Sequence, residues 1–280
     1  MNTTTGERNF KTAFKSFKRT VKLACKISRM GAGRESEEDK IFWASVLFTR
    51  MCVISLSIQK LTDHDIPEKF FPEHWDYAST FSLTRNLMEC FHTLYYLCFD
   101  NIPKEEYQTR RNIFNLHDFY SRKKLLYYMN EHQLPQFKTD PEHKKEKQCF
   151  DVIMEQIEND TFFQKLSDKQ KQKYLKGDNA FLISREEIEE RSGRSKSIFK
   201  AFYKLLSSNT HSFPMGFYHL IFLDRGTGVK TNVEVEYSIL ALTISESYLV
   251  SAIHGMLNFY PDLVKKLSPQ ELSLISFEEP

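Results

Sequence analysis

The chain is predicted to be all-α, a multi-helix bundle, on three observations. Its 280 residues include only 9 glycines and 9 prolines, too few for a turn-rich β fold. Several stretches of about twenty residues or more carry apolar side chains at helical spacing. Aromatic residues make up 14% of the chain, with 24 Phe and 13 Tyr, which predicts a core packed with rings. The length suits a single helical domain with a substantial core, covering 1–280. One small β-hairpin near 218–235 is the one place where strand is expected. The core is expected over 36–130 and 181–262.

Residues 7–30 read as a basic amphipathic helix. Phe10, Phe14, Phe17 and Val21 form its apolar stripe. Lys15, Lys18, Arg19 and Lys22 belong to a basic set opposed in this stretch by Glu7 alone. Such a face suits an RNA backbone or an acidic protein partner, and equally a solvated outer helix. Gly31-Ala32-Gly33 ends the helix, and Ser36-Glu37-Glu38-Asp39 supplies an acidic first turn for the next, which runs to about Leu61. A loop bounded by Asp63 and Pro72 and containing Pro67 leads to a third helix, Ser79 to Phe99. The two apolar helices are expected to be neighbours.

A further helix spans about 104–130, with Ile113, Leu116, Phe119 and Leu126 inward and Arg110, Arg111, Arg122, Lys123 and Lys124 outside or along an edge. Leu134-Pro135 breaks it. Residues 136–179 are polar, with lysines matched by acids around a helical stretch from Cys149 to Leu166, and read as a peripheral excursion from the bundle. Ser184 caps a short helix with Glu187 three residues on. The turn Ser192-Gly193-Arg194 and a second helix from Ser195 resemble a helix-turn-helix, although Phe199, Phe202, Tyr203, Leu205 and Leu206 make the second helix too apolar for a DNA groove. Its end, Ser207-Ser208-Asn209-Thr210-His211, clusters hydroxyls, an amide and an imidazole ahead of Pro214. These groups can satisfy the last helical carbonyls or serve a neighbouring cleft. After the expected hairpin, a long apolar helix over 236–260 carries Glu246 and His254, and a short amphipathic tail follows.

The third helix organises the rest. Arg85, Glu89, His92 and Tyr96 fall at i, i+4, i+7 and i+11, one stripe on an otherwise apolar helix. A charged stripe on a buried helix is either paired or lines a cleft. As architecture, Arg85 and Glu89 are an i,i+4 ion pair and His92 a hydrogen-bonded core histidine. As chemistry, Arg85 holds an anion, His92 or His211 moves a proton, and Glu89 orients one of them, with Asn86, Tyr96, Ser207 and Asn209 available for binding.

Arg85 and Glu89 as R-x-x-x-E, together with Tyr203, Leu206, Ser207 and His211 as Y-x-x-L-S-x-x-x-H, resemble a family of uncharacterised bacterial all-helical proteins carrying a domain of unknown function. The resemblance covers roughly residues 40–260, outside the polar excursion. It implies a bundle in which Arg85, Glu89 and His211 meet, and implies no activity. The stretch from Arg85 to His92 also resembles the motif of HEPN ribonucleases, an Arg and a polar residue followed after a spacing of four to six by a His, in helical bundles of toxin and phage-defence systems. That likeness implies that Arg85 holds a scissile phosphate and His92 serves the ribose hydroxyl, without a metal.

Other classes are disfavoured. The five cysteines are odd in number and scattered, which suggests neither a zinc site nor a disulfide framework and fits a reducing, cytoplasmic setting. Glu89-x-x-His92 is half of a di-iron motif, but no second Glu-x-x-His appears, so no metal and no cofactor is expected. The most apolar window, Ile41 to Ile58, has Arg50 at its centre and reads as a core helix rather than a membrane span. The net charge of +2 demands no nucleic acid. A binding or regulatory module is therefore expected, with a metal-independent ribonuclease as the alternative and a homodimer left open.

Overall fold

The computed structural model describes residues 3–34, 38–63, 75–132, 143–222 and 230–276. Among these residues there are helices and no strands. The chain divides into two compact units, one built from residues 1–99 and 186–280, the other from 100–185.

The first unit contains α1 (Thr3–Gly31), α2 (Asp39–Leu61), α3 (Tyr77–Leu94), α8 (Arg185–Arg191), α9 (Lys196–Thr210), α10 (Pro214–Phe222), α11 (Asn232–Phe259) and α12 (Pro269–Ser273). The second contains α4 (Lys104–Glu131), α5 (His143–Glu158), α6 (Thr161–Gln164) and α7 (Asp168–Leu175). α3 lies at the centre of the first unit, packed against α2, α9 and α11, while α1 covers α2 and α11. Its start is set by Asp76, whose side chain accepts a hydrogen bond from the Ser79 amide. Its end loosens into a π-helical turn over Tyr95–Phe99. Phe99 packs so closely on α11 that a Cβ on Gly255 would lie 2.2 Å from its ring. Glycine is therefore a packing requirement at that position.

The Phe stripe of α1 does what its spacing predicts. Phe10, Phe17 and Val21 are buried, each a burial worth about 1.5–3 kcal/mol. Lys15, Lys18, Arg19 and Lys22 stay exposed on the other side. Two polar ties cross the interior: Ser16 and Thr20 both donate to Glu246 Oε1, at 2.9 and 2.7 Å, and Thr84 meets Ser245 at 3.1 Å. α2 and α11 are each long and apolar enough, by length and composition, to cross a membrane, and in this fold 39% and 50% of those stretches are buried.

Three expectations need correction. The hairpin near 218–235 is absent where it can be seen: Tyr218–Phe222 belong to α10 and Asn232–Val235 to α11. Apolar β-branched runs are ambiguous between strand and helix, and Thr231 caps α11 by accepting from the Glu234 amide. The helix α4 does not join the core bundle but packs on α5, α6 and α7. There Ile113, Leu116, Ile157, Phe163 and Tyr174 form a separate core. Arg110, read as an edge residue, is wholly buried and paired with Asp100 and Glu106 at 2.8 and 2.7 Å. Ser36-Glu37, most of the loop from Asp63 to Pro72, the break at Leu134-Pro135, the start of the polar excursion and Arg225-Gly226-Thr227-Gly228 lie outside the described residues.

Candidate functional site: a surface seam and a buried quartet

The stripe on α3 serves two separate constellations because α9 runs back along it. At the N-terminal half of α3, Arg85 Nη1 lies 2.9 Å from His211 Nε2. Arg85 Nη2 donates to Glu89 Oε1 at 3.1 Å and to the Tyr203 hydroxyl at 3.0 Å. Tyr203 in turn donates to Glu89 Oε1 at 3.3 Å, and its ring lies under the guanidinium, 5.0 Å from Arg85 Cζ. A guanidinium only donates, so His211 Nε2 accepts, which requires the neutral ring with its hydrogen on Nδ1.

This cluster reaches the surface. The Arg85 side chain is 16% exposed and that of Glu89 35%, and His211 is exposed. Two buried polar atoms on these same residues and their helix, Arg85 Nε and Ser207 Oγ, have no hydrogen-bond partner. Ser207 lies four residues from both Tyr203 and His211, so the three share one face of α9.

The local backbone fixes His211 in place. Ser208, Asn209 and Thr210 return their side chains to the carbonyls of Lys204, Leu205 and Leu206, at 2.9, 3.0 and 3.0 Å. His211 caps the helix, Ser212 takes a left-handed conformation (φ 50°), and the Phe213 amide closes onto Ser208 O at 2.9 Å. A Cβ on Gly216 would come within 2.7 Å of Ser208 O, so the α9–α10 corner depends on that glycine. Asn209 is therefore committed to its own helix. Asn86 is exposed, and Tyr96 is buried within the π-helical turn.

The second constellation is buried but for Arg194, whose side chain is 19% exposed. His92, wholly buried, places Nε2 2.5 Å from Glu189 Oε1. The same oxygen accepts from the Tyr248 hydroxyl at 2.7 Å, and Glu189 Oε2 accepts from Arg194 Nε at 3.2 Å. Arg194 also donates to Ser251 Oγ at 3.0 Å and Ser247 Oγ at 2.9 Å, and stacks 3.9 Å from the centre of the Tyr248 ring. Burial first, then the Glu189 charge, pushes the Tyr248 phenol well above its ordinary range, so it stays a donor. A cavity of about 360 Å³ adjoins the quartet, lined in part by Arg194, Phe202, Ile244 and Ser251.

The structure thus joins Arg85, Glu89 and His211, and directs His92 to Glu189 rather than to Arg85. Reading the sequence missed Glu189, Arg194 and Tyr248. Glu189 and Arg194 sit in the charged run from Arg185 to Arg194, which looks solvated, and the one available clue was Ile188 beside them. Among the described residues no group of His, Cys, Asp and Glu is placed to hold a metal ion.

The fold and the seam define an all-α, multi-helix protein in which a surface Arg–His pair is set by two packed helices. Residues 41–228 match DUF5677, a family of unknown function, and the chain belongs to that family. The matched span contains Arg85, Glu89, Tyr203 and His211 and stops short of α11. Comparison with curated proteins and with solved structures finds no match.

Proposed function

We propose that the seam is a metal-independent site for a phosphodiester, with RNA as the substrate class. The observation that carries this reading is the 2.9 Å contact between Arg85 and an exposed His211. A guanidinium beside a neutral imidazole combines an anion holder with a proton acceptor, and RNA brings its own nucleophile. Arg85 holds the phosphate. Phosphate binding draws Arg85 Nη1 off His211 and frees Nε2, which accepts the proton of the 2′-hydroxyl as the 2′-oxygen attacks phosphorus, and the 5′-oxygen leaves and takes its proton from solvent. The products are a 2′,3′-cyclic phosphate and a 5′-hydroxyl. Glu89 and Tyr203 position Arg85. On α1, exposed Lys15, Lys18, Arg19 and Lys22 supply sequence-independent backbone contacts.

A second reading is a binding or regulatory module in which the seam fixes the packing of α9 on α3. It is favoured by the internal commitment of Arg85, which already donates to Glu89 and Tyr203. Cleavage of total RNA in EDTA separates the two, with wild type beside Arg85→Ala and His211→Ala. The nuclease reading requires each variant to lose about 10²-fold or more of the rate while melting close to wild type. Absence of cyclic-phosphate ends in the wild-type reaction, with Arg85→Ala lowering the melting temperature, would return the seam to architecture.

A further inference from the structure

The seam between α1 and α2 is built from short side chains. Ser28 Oγ on α1 meets Thr49 Oγ1 on α2 at 3.0 Å. Serine, threonine and cysteine each end one heavy atom beyond Cβ, so helices that touch through them stand close together. Residues 32–38 join the two helices, which makes them antiparallel neighbours. In such a pair a turn back along one helix is matched by a turn forward along the other. One turn back from Ser28 is Cys25, and one turn forward from Thr49 is Cys52. The register therefore sets the two thiols against each other.

The chemistry of Cys52 agrees with that register. Burial first, then Cys25 through its charge and a hydrogen bond, pushes the Cys52 thiol well above its ordinary range. Cys90, also buried, instead spends its thiol on the Leu47 carbonyl at 3.6 Å. The two members of the pair differ in access: Cys52 is buried and Cys25 half-buried. Lys22 and Arg29, exposed at i−3 and i+4 from Cys25, flank it with positive charge on the same face of α1. An oxidant that carries carboxylates is drawn to Cys25 first.

We propose that Cys25 and Cys52 are a redox modification site, oxidised to a disulfide by a low-molecular-weight disulfide bearing carboxylates. Cys25 loses its proton to water and its sulfur attacks the oxidant, whose S–S bond breaks and releases one thiolate. Cys52 then gives up its proton and attacks Cys25 Sγ in the mixed disulfide, which expels the second thiolate. The chain loses two electrons and two protons, and the small disulfide gains them as two thiols. The new bond ties α1, with its exposed Lys15, Lys18, Arg19 and Lys22, to α2.

The test treats the full chain, in a Cys149→Ser background that removes the exposed thiol, with oxidised glutathione. Non-reducing tryptic digestion should yield peptides 23–26 and 51–60 as one linked species that dithiothreitol separates. The linked chain should keep its circular dichroism spectrum and melt about 5 °C or more above the reduced one. Cys52→Ala should stop the reaction at a glutathione adduct on Cys25, and Cys25→Ala should leave Cys52 unmodified. Absence of the linked peptides, their formation only in urea, linkage of either cysteine to Cys90 or Cys98, or an oxidised chain that melts no higher than the reduced one would each overturn the proposal.

Discussion

Replacing Glu189 with alanine strips three donors of their common acceptor. His92, Tyr248 and Arg194 reach the carboxylate at 2.5, 2.7 and 3.2 Å, and the first two sit where water does not. Arg194 can fall back on Ser247 and Ser251 and is 19% exposed. The loss therefore falls on the His92 ring and the Tyr248 hydroxyl. Removing one member of a buried charged network costs about 3–5 kcal/mol, much of it the desolvation of the groups left behind. At about 2–4 °C per kcal/mol for a unit of this size, Glu189→Ala should lower the melting temperature by about 6–20 °C. Thermal unfolding by far-ultraviolet circular dichroism reads this directly. Glu189→Gln keeps an acceptor and the side chain's shape, and should lose less than the alanine variant. His92→Ala should destabilise in the same direction, and any activity it loses should track its folded fraction. An alanine variant melting within about 2 °C of wild type would refute the assignment of the quartet to architecture.

Three further outcomes follow from the same geometry. Gly255→Ala forces a methyl group into the Phe99 ring and should cost about 1–3 kcal/mol in a thermal melt, whereas Gly33→Ala, with nothing within 4 Å but a φ of +74°, tests backbone strain alone. Alkylation at pH 8 should label exposed Cys149 first and spare Cys90 until unfolding, since burial, opposed by the Arg50 charge, pushes the Cys90 thiol up to about 11 and leaves about one molecule in a thousand as thiolate. Hydrogen bonds from Arg34 and Lys26 hold Asp262 and Glu271 below the ordinary carboxylate range. Depressed folded-state values mean that the contribution of these two ion pairs to holding residues 261–275 against Lys26 and Arg34 is full above about pH 5 and is lost as pH falls through them. Amide exchange over that segment should therefore rise between pH 6 and pH 3 relative to the exchange of α3, and an unchanged ratio would contradict the assignment.

Periodicity fixes the azimuth of a side chain on its helix but says nothing of what lies over it, and the α3 stripe shows where that limit falls. Arg85 and His92 are seven residues apart and share an azimuth to within about 20°. The spacing alone therefore suggested one site. What separates them is α9, which runs back along α3 and changes character on the way. Its N-terminal turn presents Phe199 to His92, with ring centres 5.3 Å apart, while its middle presents Tyr203, and its C-terminal end His211, to Arg85. The short α8 and its turn then deliver Glu189 to His92 and Arg194 to Glu189 and bury that end. The meeting of Arg85, Glu89 and His211 was legible because paired motifs on two helices carry pairing information that a single helix does not. The quartet was not, because Glu189 lies in a run of charges whose composition describes its exposed members and conceals the buried one. The same reasoning accounts for α4, whose Arg110 looked like surface until Asp100 and Glu106 supplied its partners. A charged side chain in a helical protein is classed by its partners, and partners at long sequence separation belong to topology. The nuclease reading accordingly rests on the pair that topology leaves open to solvent, Arg85 and His211, and gives His92 no part in the chemistry.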